Sequence, residues 1–119
     1  MLRSQLSLIL RGIIVVAALM LTGGSALAED RNSANFMMPS CRKLLTNDNS
    51  EPYLQGICYG IIKTLFFMGG GKCAPSGVVT VSQINRVVVQ YIDARPARMH
   101  EDFRDLALEA MKAAWPCKR

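Results

Sequence analysis

The chain has 119 residues, room for one small domain and no more. Half of the residues are hydrophobic, 19% are charged and the formal net charge is +5. There is no polybasic run and no aromatic ladder, so nucleic acid is not an expected partner.

The N-terminus reads as an export signal. Arg3 and Arg11 supply a positive segment, Ile13 to Leu21 is an uncharged apolar run, and Thr22-Gly23-Gly24-Ser25 breaks it. Ala26-Leu27-Ala28 is a small-x-small cleavage site before Glu29-Asp30. The run is shorter than the ~18 residues of a bilayer span, so no integral membrane association is expected after cleavage. The expected division is therefore a signal peptide at 1–28 and one exported domain at 29–119. Removing Arg3 and Arg11 from the fourteen basic side chains leaves twelve against nine acidic, a mild net charge of +3.

Residues 29–36 (EDRNSANF) are polar and aperiodic and read as a loose N-terminus. The first helix is expected over about Met38 to Leu45, because Met37, Cys41, Leu44 and Leu45 recur on one helical face. Thr46 to Ser50 is a turn cluster. The second helix is expected from about Glu51 to Met68, with Ser50 as N-cap and Pro52 in the first turn. Leu54, Ile57, Cys58, Ile61 and Leu65 form one stripe, and Ile62, Phe66 and Phe67 widen it. A helix apolar nearly all round is expected at the centre of the fold. Gly56 and Gly60 stand four apart, either to admit a close helix or as tolerated glycines.

The run Gly69-Gly70-Gly71-Lys72-Cys73 lacks the spacing of a phosphate-binding loop and follows no strand, so it reads as a helix end and turn. Thr80 and Gln83 fit a capping box at the start of the third helix. Ile84, Val87, Val88, Tyr91 and Ile92 continue its stripe. A hairpin strand through Val87-Val88-Val89 is the rival reading, and the cap and period favour helix. Pro96 ends it, since the residue before a proline is pushed out of the helical region. The fourth helix is expected over about Glu101 to Ala114, with Phe103, Leu106, Ala107, Ala110, Met111 and Ala114 buried and acids at its positive end. The expected fold is all-α: a small four-helix domain.

Cys41, Cys58, Cys73 and Cys117 all follow the signal, and an even number in a short exported chain argues for two disulfides. Of three possible pairings, 41–58 with 73–117 is favoured. Antiparallel packing across the short turn brings Cys41 to Cys58, whereas Cys73 is separated from Cys58 by ~15 Å of helix rise. A metal site is disfavoured by the lack of any C-x-x-C pair, and no cofactor is expected. Catalysis lacks a free nucleophile with a positioned base, so no enzyme is expected. His100, the single histidine, stands in a charged hinge. The candidate partner-binding residues are Arg95, Arg98, His100, Glu101, Asp102 and Arg104 of that hinge, with Lys72 of the glycine loop.

Several of these features together resemble the Rap/Tai family of type VI secretion immunity proteins. They are Cys41, Gly56-Ile57-Cys58-Tyr59-Gly60, Cys73-x-Pro75-x-Gly77-Val78, Val87-Val88-Val89-x-Tyr91-Ile92 and Ala110 to Cys117. The resemblance implies a periplasmic, all-helical, often dimeric protein that docks on a cognate peptidoglycan amidase toxin and blocks its cleft. The family hinge is often His-Pro-Glu-x-x-His. Here Arg95-Pro96-Ala97-Arg98-Met99-His100 keeps only the proline and the second histidine. A homodimer through Phe66, Phe67 and Met68 is the other expected contact. Two further function classes stand beside immunity. One is an acid-stress chaperone of the HdeA type, disfavoured by two bridges and a single histidine. The other is an envelope-associated binding module without a toxin partner.

Overall fold

The structure, a computed structural model, describes residues 2–9, 11, 29–70, 72–75 and 77–118. Residues 2–9 are helical and exposed. The apolar run Ile13 to Leu21 and the expected cleavage site at Ala28 lie outside the described residues.

The domain is built from four helices: α1 (Ala34–Thr46), α2 (Pro52–Met68), α3 (Val81–Asp93) and α4 (Phe103–Ala114), with a 3-10 turn at Pro96–Arg98 between the last two. Each helix packs against the other three. Their shared core includes Met38, Ile62, Ile84, Val88, Ile92, Phe103, Leu106 and Met111, all essentially without solvent contact. There is no strand among the described residues. Val87-Val88-Val89 lies within α3, where the local cap decides: Thr80 Oγ1 accepts from the Gln83 amide at 3.2 Å, and Gln83 Oε1 accepts from the Thr80 amide at 2.8 Å.

Cys41 is bonded to Cys58 and Cys73 to Cys117, with Cα separations of 5.6 and 4.8 Å. The first bridge joins α1 to α2 inside the core. The second closes the open end of the antiparallel α3–α4 pair, where the Cys73 amide also donates to the Trp115 carbonyl at 2.9 Å. The pair is thus held at both ends, by a proline turn at one and a bridge at the other. Buried Asn85 of α3 donates to the Cys41 carbonyl at 2.9 Å, which fastens α3 to the inner bridge.

Several sequence expectations are corrected. Residues 33–36 are not loose. Ser33 caps α1 by accepting from the Phe36 amide, so the helix starts at Ala34 and carries Pro39 inside it. The amides of Ala34 and Asn35 donate to the Glu101 and Met99 carbonyls, and the Phe103 amide donates to Asn32. This hook ties the chain start to the hinge, a contact across more than sixty residues that no local pattern announces.

Residue 50 does not cap α2. Glu51 holds the N-cap position without a side-chain bond, and the Ser50 amide instead turns to Asp48. α2 is not central: it buries only Gln55, Cys58 and Ile62 and leaves Tyr53, Tyr59, Phe67 and Met68 exposed. No helix approaches Gly56 or Gly60, which face open space. α4 begins at Phe103, because the Asp102 side chain caps it. Glu101 therefore belongs to the hinge, and Ala114 is exposed. Gly69 is needed where it stands, since a side-chain carbon there would meet the Leu65 carbonyl and crowd Leu108.

Candidate functional site

The hinge charges form a closed network. Pro96 starts a single 3-10 turn, which points Arg98 back over α4. Its guanidinium donates to both oxygens of Glu101, at 2.8 and 2.7 Å, and to both oxygens of Glu109, at 2.7 and 3.0 Å. The Tyr91 hydroxyl donates to Glu109 at 3.2 Å. Arg95 lies 3.5 Å over the Tyr91 ring and donates to the Tyr91 carbonyl. Paired, bidentate bonds of this kind fix geometry as well as charge. Beside them Asp102 accepts from the Arg104 amide at 2.8 Å and from its guanidinium at 2.7 Å. His100 is exposed.

Hydrogen bonds from Arg98 hold the Glu101 and Glu109 carboxyls below the usual carboxylate range, with Tyr91 assisting at Glu109. The bond to Arg104 does the same for Asp102. A depressed folded pKa gives stability that is present above the unfolded value and lost as pH falls through the folded one. R98M is therefore expected to be less stable than the parent at neutral pH. The gap between the two should close as pH is lowered from about 6 to about 3, as the glutamates protonate. Thermal melts across that range check it, and a gap independent of pH would mean that Arg98 acts by packing alone.

Lys72 does not belong to this network. Its ammonium donates to the Leu65 and Gly69 carbonyls at 3.0 and 2.5 Å and lies 5.3 Å from the Phe66 ring centre. It caps the C-terminal end of α2. Burial, and then the nearby Lys112 charge, lower its pKa. The sequence-derived candidates thus fall at opposite ends of the α3–α4 pair, about 20 Å apart by helix rise. The hinge gathers Arg95, Arg98, Glu101, Asp102 and Arg104, and Lys72 lies at the disulfide end.

Sequence reasoning missed Glu109 and Tyr91 as members of the hinge. The signal was Glu109, the lone acid between Leu106 and the end of α4. At the disulfide end sequence reasoning named Lys72 and the Phe66, Phe67 and Met68 surface but not the grooves between them and the loop. There an open groove of about 600 Å³ runs between Phe66, Phe67, Lys72, Pro75 and Val79. A second, of about 370 Å³, adjoins it at Pro75 and Val79 and is walled by Val78, Arg86, Val87 and Trp115. Phe66 and Trp115 meet edge to face at 5.4 Å, which joins the end of α2 to the end of α4.

Among the described residues no three His, Cys, Asp or Glu side chains converge as a metal site would require, and no helix is long and apolar enough to cross a membrane. These features define a class: a small helical module, stapled by two disulfides, whose cysteines are all paired and whose hinge carboxylates are held by arginines. The family model of the Rap1a immunity proteins matches residues 33–117, and the chain belongs to that family. No curated protein and no solved structure matches it. Both the disulfides and the family fit an exported protein.

Proposed function

We propose that this chain is a periplasmic type VI secretion immunity protein that binds an exported peptidoglycan amidase toxin and blocks its catalytic cleft. One observation carries the reading: membership of the Rap1a immunity family across residues 33–117. The architecture is consistent with work by docking rather than by chemistry. All four cysteines are oxidised and the exposed His100 stands among charges that are paired with one another. An inhibitor must keep one shape to fit one cleft, and two bridges with a closed hinge network favour that. Residues 1–28 are proposed to direct export and to be removed after Ala28. Of the hinge candidates, His100 and Arg104 point outward and are proposed as rim contacts, and Arg95 and Arg98 as groups that hold the hinge in shape.

Rescue tests the proposal. Amidase toxins directed to the periplasm are expressed with and without this chain, and complex formation is followed by gel filtration of the mature protein. Survival of the host and a stable complex with one toxin are expected. Lysis that persists with every amidase toxin, together with no complex, would end the reading. N-terminal sequencing of the periplasmic protein is expected to begin at Glu29.

A further inference from the structure

The two ends of the α3–α4 pair differ in how their charges are balanced. At the hinge side Arg42, Arg98 and Arg104 each have a carboxylate partner, at Asp93, Glu101 with Glu109, and Asp102. The stretches that form the other end carry no acidic side chain. No Asp or Glu stands between Glu51 and Asp93, and none follows Glu109. The described cations in those stretches, Lys63, Lys72, Arg86, Lys112 and Lys118, have no carboxylate side chain within 4.0 Å among the described residues, and Lys72 is held by the carbonyls that end α2. Arg86 lines one groove and Lys72 the other, Lys112 lies close to Lys72, and Lys63 stands one helical turn before Phe67 on α2. Phe67 is 66% exposed, Val78 73% and Met68 82%, next to the grooves between Phe66, Pro75, Val79 and Trp115.

We propose that this end is the main docking surface and that it receives an acidic segment of the toxin carrying apolar side chains. The proposal rests on the immunity reading and adds the place and the chemistry of contact. Uncompensated cations around a groove attract an acidic partner and speed its encounter, while the apolar centre supplies affinity once water leaves. The hinge offers less, because its guanidiniums would have to give up bidentate bonds to join an interface. A second copy fits poorly. A two-fold contact sets the same patch against itself, so Arg86 and Lys112 would face like charges. A bilayer also fits poorly, since the apolar residues wall concave grooves rather than form a protruding tip. The Cys73–Cys117 bridge and the Cys73 amide bond to Trp115 hold those walls in place.

Trp115 is the only tryptophan and lines one groove, so its fluorescence reports occupancy. Two short amphipathic peptides serve as probes, one of Leu and Glu, the other of Leu and Lys. The Leu/Glu peptide is expected to shift Trp115 emission saturably, with an affinity that falls as salt rises. K63E/R86E/K112E is expected to weaken it by at least about tenfold, and the Leu/Lys peptide to give no shift. With an amidase toxin, the same triple variant is expected to lose roughly 100-fold in affinity, and H100A/R104A less than about threefold. Far-UV circular dichroism and thermal melts confirm that each variant folds.

Toxin binding that survives the triple variant overturns the groove and leaves the immunity reading. Leu/Glu binding without binding of any amidase toxin does the reverse. Loss of both overturns both. Equal response to the two peptides overturns the charge argument. The protein occupant is also overturned if vesicles containing phosphatidylglycerol shift Trp115 while the Leu/Glu peptide does not. Self-association abolished by K63E/R86E/K112E overturns it in favour of a second copy.

Discussion

C41A/C58A is expected to lower stability by roughly 2–5 kcal/mol relative to the parent. In a domain of this size each kcal/mol moves the melting temperature by about 4–8 °C, so the transition should fall by at least about 8 °C. The reason is position. Both cysteines are fully buried, and their bridge ties α1 to α2 at the point where Asn85 of α3 also attaches. Alanines there remove the constraint on the unfolded chain and also leave unfilled space in the core. C73A/C117A is the comparison. Its loop is longer, with a sequence separation of 44 against 17, so chain entropy alone ranks it the more stabilising of the two by roughly 1 kcal/mol. We expect the opposite order. Cys73 and Cys117 are exposed, and losing their bridge frees one end of a helix pair that the hinge still holds. Urea melts of the two variants decide it, and a larger loss for C73A/C117A would sink the argument from burial.

F103A is expected to cost about 3–5 kcal/mol, much of the 5–15 kcal/mol that a domain of this kind has in total. Phe103 is fully buried and is the first residue of α4. It stands beside Met37 of α1 and Ile57 and Ile61 of α2, and its amide donates to Asn32 at 2.7 Å. One side chain therefore joins three helices at the place where the N-terminal hook meets the hinge. Hydrogen exchange supplies a second readout: the amides of Ala34 and Asn35, bonded to the hinge carbonyls, should exchange faster in F103A than in the parent. F67A is the control. That ring is largely exposed, and its loss should change stability by no more than about 0.5 kcal/mol. Equal costs for the two would mean that Phe103 is not the keystone its burial implies.

The helices were legible because their determinants are local. Thr80 and Gln83 lie three residues apart, and the stripe from Ile84 to Ile92 returns to one face every turn. The proline at 96 stops α3 whatever surrounds it. α2 was read correctly as a helix and wrongly as a central one. Periodicity says which residues share a face, but not how many neighbours are present to cover that face. Three other helices cover only one side of α2, so Tyr53, Tyr59 and Phe67 stay outside. The N-terminal hook escaped for a related reason. Its bonds run between backbone groups of residues 32–35 and 99–103, and backbone groups carry no signature in side-chain type.

The candidate site was half legible. Charge density in the hinge was plain from Arg95 to Arg104, but not which charges satisfy each other. Arg98 takes Glu109 from eleven residues away, through a turn whose geometry depends on Pro96 and on the packing of α4. Lys72, grouped with the hinge by its charge, proved to cap α2 at the far end.

By itself the sequence determined the four helices, most of the buried stripes of α3 and α4, the capping of α3 and the resemblance that places the chain among immunity proteins. Those properties rest on spacing within a few residues, where chain connectivity keeps the partners near one another. Only the tertiary structure decided which face of α2 remains open, which charges are paired and where an acid-free apolar groove lies. Each depends on residues far apart in the chain, brought together once core burial has offset the entropy lost in ordering them.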